Sequence, residues 1–370
     1  MELAIPSARR ILQRLTEGID GTLLALSLAL IGVGLATLFS ASYEQPARVW
    51  AQMVNLAVAL AAMWVVARIP PQTLMRFAVP AYLFGIALLV AVALAGDVVN
   101  GARRWLHVGV TRFQPSEMMK LALPLMLAWY FHKNESTLRL RDFAIAALLL
   151  AVPVLLIARQ PDLGTAVLVA AAGCYVIFFA GIGWRVIAAL GVVGLASLFP
   201  LWGMLHDYQR RRILTLIDPT QDPLGAGYHT IQSTIAVGSG GITGKGWLHG
   251  TQTHLEFIPE RHTDFIFAVF SEEFGLIGNL VLLTLYTLLI ARGLMIAANA
   301  ATFFARLLAA TITLMFFTYA FVNMGMVSGI LPVVGVPLPF ISYGGTSMLT
   351  LFTGVGILMS VHSHRRLVQT

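Results

Sequence analysis

The segment Pro259-Glu260-Arg261-His262-Thr263-Asp264-Phe265-Ile266-Phe267-Ala268 joins a polar stretch to a long apolar one, and Asp264 sits at the junction. A carboxylate at a water–membrane boundary can face a substrate with a polar head and a lipid tail, and there it is placed to act as a general base. The plainer alternative is that Asp264 caps the following helix, whose first N–H groups lack partners. Glu272 and Glu273 lie about two turns further on, and at about 100° per residue they point roughly 80° and 180° away from Asp264. They cannot both share its cavity, so no carboxylate dyad is expected.

Phe113-Gln114-Pro115-Ser116-Glu117-Met118-Met119-Lys120 places Glu117 and Lys120 three residues apart on one helical face, close enough to pair. Charges inside an apolar span are costly, so the pair either contacts a ligand or neutralises itself to lock helix packing. Asp162, in Gln160-Pro161-Asp162-Leu163-Gly164-Thr165, is placed to cap a helix and is also a second candidate partner for Lys120. Gly240-Gly241-Ile242-Thr243-Gly244-Lys245-Gly246 resembles a phosphate-binding loop but fails it at both ends: Ser239 stands where the first Gly belongs and Gly246 where the hydroxyl belongs. No nucleotide cofactor is expected, and these glycines read either as a close-packed loop or as a flexible surface. The stretch from Gly329 to Gly345 is too rich in Pro and Gly for a helix and too apolar for a solvated loop. Such backbone must be buried in protein or line a cavity, with Ser342 as a polar contact, or else simply break two helices apart.

The elements that position these groups follow from composition. Of 370 residues 58% are apolar and only 11% charged, with mean hydropathy +0.81. That is too little charge for a water-soluble shell, which excludes an ordinary soluble enzyme and leaves an all-α polytopic integral membrane protein. The single Cys174 permits no intrachain disulfide. About ten apolar runs are long enough to span a bilayer, near 21–41, 50–68, 74–95, 116–132, 143–158, 163–180, 185–205, 264–291, 305–328 and 342–361. The fifth and sixth are separated only by Arg159 to Asp162 and read as a broken or tilted pair whose connection lies below the membrane surface.

Arg9, Arg10 and Arg14 precede the first run with no cleavable pattern, so the N-terminus is expected in the cytoplasm, and an even span count returns the C-terminus there. Arg68, Arg76, Lys133, Arg292 and Arg365 then fall at cytoplasmic ends. Arg48, Arg103, Arg104, Arg112 and Arg159 fall close to span ends on the outer side, where charge bias gives them no purpose, and they suggest an anionic ligand at that face. The net charge of +7 is accordingly read as lipid or ligand binding and not as nucleic-acid binding. The chain reads as one membrane domain over 1–370, with one long extracytoplasmic loop, 206–263, between the seventh and eighth spans.

Taken in order, Phe113 to Lys120, Gln160 to Thr165, Asp218-Pro219 with Asp222 to Tyr228, Gln232 to Gly246, Pro259 to Ala268 and Leu331 to Gly345 resemble the SEDS (shape, elongation, division, sporulation) family of peptidoglycan glycosyltransferases. The likeness runs from about Thr22 to His364, and Val334-Gly335-Val336-Pro337 with the short N-terminus resembles the elongation, rod-shape member more than the division member. The resemblance implies polymerisation of lipid II, the undecaprenyl-pyrophosphate-linked disaccharide pentapeptide, at the outer face of a bacterial inner membrane. Asp264 falls on the family's essential Asp, which would deprotonate the acceptor 4-hydroxyl for inverting attack and loss of undecaprenyl pyrophosphate. Implied partners are a class B penicillin-binding transpeptidase and other elongation-complex membrane proteins; the apolar outer faces of the eighth and ninth spans could dock the transpeptidase, although lipid-facing residues look the same in sequence.

A pyrophosphate leaving group needs cations or a metal to stabilise its charge. The candidates are Lys120, held by Glu117 and Asp162, together with Arg48, Arg112 and the Arg210 to Arg212 cluster; His262 and Ser342 complete the expected substrate contacts. A divalent cation, Mg or Mn, fits that chemistry, although the sequence offers no dedicated cage of oxygen ligands. Two other functions fit a chain of this composition: a flippase moving lipid II outward, and a scaffold recruiting the transpeptidase.

Overall fold

The computed structural model describes residues 18–366 apart from Glu44, 100–101, 109–110, 205–225 (where Arg210 and Leu214 alone are described), Glu256 and Pro259. Each of the ten apolar runs coincides with one helix. These are α1 (Gly21–Ala41), α2 (Pro46–Val66), α3 (Pro71–Ala95), α4 (Pro115–Lys133), α5 (Leu140–Arg159), α6 (Leu163–Phe179) and α7 (Trp184–Met204), then, after α8 (Ala226–Ser239) and α9 (Thr251–His254), α10 (Ile266–Ala298), α11 (Phe303–Val327) and α12 (Gly345–Ser363). Among the described residues seven helices, α1, α2, α3, α5, α10, α11 and α12, are long and apolar enough to cross a membrane. The chain is therefore a mostly helical, multi-pass membrane protein. α4 carries Glu117 and Lys120 in its first two turns, and α6 is apolar but shorter.

The most buried of the long apolar helices is α11, which packs against α10, α6 and α4; α12 packs along α2, α3 along α4, and α1 along α10. Faces such as Trp50, Val54 and Val58 of α2, or Leu276, Leu280 and Leu283 of α10, remain exposed, as apolar side chains that meet lipid tails do.

Two features depart from a plain bundle. Between α3 and α4 the chain forms a three-stranded antiparallel sheet, β1 (Asp97–Val99), β2 (Ala102–Val108) and β3 (Thr111–Phe113), with Asp97 opposite Trp105 and Leu106 opposite Phe113. The all-α expectation missed it because the strands are too short to register beside twenty-residue apolar runs, although Val98, Val99, Trp105 and Val108 favour extended backbone. Arg104 of β2 donates to the Pro161 carbonyl at 2.5 Å, tying the sheet to the α5–α6 turn. Two side chains of that turn are buried while Pro161 is exposed: Gln160 donates to the Leu89 carbonyl at 3.0 Å, and Asp162 is only 6% exposed.

The second departure lies inside α10, which breaks at Gly275 (φ 62°, ψ −159°). A break strands backbone groups that must find partners, and the glycine-rich loop supplies them. Lys245 N donates to the Glu272 carbonyl and Gly246 N to the Glu273 carbonyl, both at 3.0 Å, while Leu276 N and Ile277 N donate to Gly241 O and Ile242 O at 2.9 and 3.1 Å. Such approach leaves no room for side chains: a Cβ at Gly240 would overlap the Ser271 carbonyl, and one at Gly244 the Glu273 carbonyl. Of the two readings of this loop, close packing is the one realised. Lys245 Nζ also meets Glu272 Oε1 at 2.8 Å, and the Glu272 carboxylate receives the Gln252 and Thr253 N–H groups of α9 at 2.9 and 3.3 Å. Glu273 pairs with Ser40 of α1. Both glutamates thus fasten elements together, one more than their angular distance from Asp264 required.

Candidate active site

Asp264 lies in a turn immediately before α10. The cap position of α10 is Phe265, with no side-chain cap bond, so Asp264 does not cap the helix. Among the described residues no hydrogen bond or ion pair reaches its carboxylate. Its Oδ2 faces Gly335, where a Cβ would stand 3.3 Å away and where φ is 72°, a conformation that glycine adopts freely. Burial, then the neighbouring carboxylates Glu260 and Asp162, push the Asp264 carboxyl up from 3.8 to about 6. A carboxylate so poised is mostly ionised near neutral pH yet basic enough to accept a proton, as a general base requires.

The backbone around Asp264 is fixed by three successive carbonyls. His262 O accepts from Tyr343 N at 2.9 Å, Thr263 O from Ser342 Oγ at 2.7 Å, and Asp264 O from Asn323 Nδ2 at 2.8 Å. Tyr343 and Ser342 lie near the end of the Pro- and Gly-rich segment, whose later part, 338–342, is packed inside the protein: Tyr286 of α10 donates to Pro339 O at 2.6 Å and Gln52 of α2 to Ser342 O at 3.3 Å. Its Pro and Gly content thus serves a wall of the site, with Val336, Leu338, Phe340 and Ile341 all buried.

The expected substrate contacts divide. Ser342 Oγ donates to Thr263 O and accepts from Leu338 N at 2.7 Å, so this buried hydroxyl holds the wall to the Asp264 turn. His262 Nδ1 lies 3.1 Å from Ser42 Oγ, and Arg261 donates to the carbonyls of Ala41 and Thr253 at 3.0 and 2.9 Å, pinning the turn to α1 and α9. Arg48 is half-buried one turn before Gln52 on α2. Arg112 is on β3 with its side chain outside the described residues, as are Arg211, Arg212 and the stretch from Asp218 to Gly225. Arg210 donates to the Gly203 carbonyl at 2.8 Å.

One expectation is corrected and one pairing is seen. Lys120 is 1% exposed, its Nζ 2.5 Å from Glu117 Oε1 and 5.0 Å from the Tyr319 ring centroid, so Glu117 holds it within the bundle as its spacing predicted. Asp162 does not hold it. The Asp162 carboxylate receives Thr165 N at 3.2 Å, capping α6, and Gln114 Nε2 at 2.9 Å, because the buried α6 N-terminus needs an acceptor more than Lys120 needs a second one. Asp162 still acts on Asp264 through charge.

Asn323, Gln52, Gln114 and Tyr319 were not anticipated. A polar side chain in an apolar run is the signal that finds Asn323 and Gln52. His229 of α8 also belongs here: its ring stacks on Phe265 with centroids 5.7 Å apart, and burial lowers its pKa against the opposing pull of Glu260. For a metal, the described residues gather no group of three His, Cys, Asp or Glu side chains.

With this geometry in hand, the similarity to known proteins is informative. The chain is 52% identical over 352 residues to the peptidoglycan glycosyltransferase MrdB of Escherichia coli (strain K12), covering 95% of each chain. It is 36% identical over 362 residues to a probable peptidoglycan glycosyltransferase FtsW of Geobacter metallireducens, covering 95% of this chain and 96% of that one. The crystal structure of Thermus thermophilus rod shape determining protein RodA superposes with TM-score 0.72 at 31% identity over 94% of this chain and 97% of that one. A chain from a peptidoglycan synthase complex that coordinates polymerization and crosslinking superposes with TM-score 0.82 at 34% identity, covering 94% of this chain and 98% of its own. Residues 21–367 match the family described as cell cycle protein, FtsW/RodA/SpoVE. The chain belongs to that family.

Proposed function

We infer that this chain is a peptidoglycan glycosyltransferase of cell elongation, which polymerises lipid II into glycan strands. The observation that carries the reading is Asp264: a carboxylate raised toward neutrality, not used as a helix cap, and mounted on a backbone clamped at three successive carbonyls. In the proposed step its carboxylate removes the proton from the acceptor 4-hydroxyl. The resulting oxygen nucleophile attacks the anomeric carbon of the growing chain from the face opposite the departing group. The bond from that carbon to the pyrophosphate oxygen breaks with inversion, and undecaprenyl pyrophosphate leaves. The developing negative charge is met by Lys120, whose Nζ is held by Glu117, together with Arg48, Arg112 and Arg210.

The reaction is placed at the outer face of a bacterial inner membrane. The accompanying topology has ten spans, both termini in the cytoplasm, and residues 206–263 outside. A transpeptidase is the proposed partner, supported by the likeness to a chain from a synthase complex that couples polymerization with crosslinking.

Purified protein mixed with labelled lipid II, with and without a class B transpeptidase, should produce glycan polymer, and Asp264→Ala should abolish it without loss of the folded state. Polymer at the wild-type rate from that variant overturns the assignment. Translocation of lipid II across empty liposomes with no polymer formed would favour a flippase instead.

A further inference from the structure

The Asp264 backbone is held from three sides, and two of the clamps, Tyr343 N and Ser342 Oγ, come from the wall segment itself. The third comes from elsewhere. Asn323 is on α11, is fully buried, and from outside either element bonds both the Asp264 turn and the wall: Nδ2 donates to Asp264 O at 2.8 Å and to Val336 O at 2.7 Å. The orientation of the amide is dictated by chemistry. Both partners are carbonyls, which only accept, so the NH2 group must face them.

Val336 follows Gly335, the residue that Asp264 Oδ2 faces across the site. One amide therefore sets the separation between the carboxylate and the opposite wall, from a helix in the middle of the bundle. An amide deep in an apolar helix is costly to bury and would not be needed for packing alone. We propose that Asn323 is a positioning residue for polymerisation: it holds the Asp264 turn and the Gly335–Val336 wall at the separation the acceptor hydroxyl requires. It touches neither substrate nor reacting atoms, and the inference rests on Asp264 being the general base.

Its consequence is a specific kinetic signature. Misplacing a catalytic group by about 1 Å costs on the order of 100-fold in rate, whereas the surfaces that hold the lipid tail and the peptide remain. Asn323→Leu removes both bonds at similar volume. The expected result is a kcat for lipid II polymerisation about 10- to 100-fold lower, KM within about twofold, and a thermal midpoint close to wild type. The acidic limb of the pH–rate profile should also move to lower pH. A turn released from α11 is more open to water, while Glu260 and Asp162, the carboxylates that act on Asp264, and His229, stacked on Phe265, stay in place. Asn323→Gln, which keeps the donors on a longer stem, should recover part of kcat.

Wild-type kcat in Asn323→Leu overturns the proposal. A parallel fall in thermal midpoint, kcat and lipid II binding, with an unmoved pH limb, also overturns it, since that is the mark of a merely structural residue. Asp264→Asn run alongside separates the two readings. If Asp264→Asn is inactive and Asn323→Leu is normal, only the positioning role fails. If Asp264→Asn polymerises normally, the general-base assignment fails whatever Asn323 does.

Discussion

Replacing Asp264 by Asn should make the protein more stable at neutral pH while it removes activity. The substitution keeps the shape of the side chain and leaves the backbone carbonyl that Asn323 holds, so the main change is loss of one ionisable group. A carboxyl raised from 3.8 to about 6 by burial and by Glu260 and Asp162 disfavours the ionised folded state. At about 1.4 kcal/mol per tenfold change in acidity, the upper bound is about 3 kcal/mol, and solvent reaching the partly exposed carboxylate lowers this to about 1–2 kcal/mol. The sign follows from linkage. With the folded value above the unfolded one, the group costs nothing below pH ~4; its penalty grows as pH rises from about 4 through about 6 and is constant above. Thermal unfolding in detergent across pH 4–8 therefore should show wild type and Asp264→Asn converging at the acid end, with the variant a few degrees more stable at the alkaline end. An equal difference at every pH, or a variant less stable at pH 7.5, would refute the claim that Asp264 is an unpaired, destabilising carboxylate.

Other consequences can be checked in the same preparations. Polymerisation should fall to about half at pH 6 and to about a tenth at pH 5, and Glu260→Gln, by removing a neighbouring negative charge, should shift that limb to lower pH. Glu117→Gln or Lys120→Met alone should destabilise by about 3–5 kcal/mol by leaving a buried charge unpaired, whereas the double substitution should cost much less, a coupling that a double-mutant cycle in thermal unfolding reads directly. Asp162→Ala should cost about 1 kcal/mol through the lost cap of α6 without changing that coupling, because Asp162 is not a partner of Lys120. Gly244→Ala should drive a methyl into the Glu273 carbonyl at a φ of 79°, releasing the loop from the break in α10, with limited proteolysis near Lys245 as the readout.

Much of the architecture was legible in the chain itself because a bilayer leaves few options. Twenty apolar residues in a row must be a helix, and each of the ten runs became one. The few charges were equally informative: Asp264, Lys120, Glu117 and Asp162 stood out because an apolar chain retains such groups only for a reason. Spacing correctly joined Glu117 to Lys120, since a pair three residues apart is decided by the helix they share.

What spacing could not decide was which distant group each side chain meets. Asp162 and Asp264 look alike in sequence, an acid at a helix start, yet one caps α6 and the other leaves its carboxylate open, because the chain at Asp264 is drawn off its helix by Tyr343, Ser342 and Asn323. The glycine-rich loop, ambiguous alone, found its purpose only against the stranded backbone at Gly275. The depth at which Lys120 lies, buried beside Tyr319 of α11, was likewise decided by packing and not by spacing. Backbone periodicity and the bilayer set the elements from local residues, but the partner of a buried polar group is chosen among residues brought together from all over the chain, and only the packed structure makes that choice.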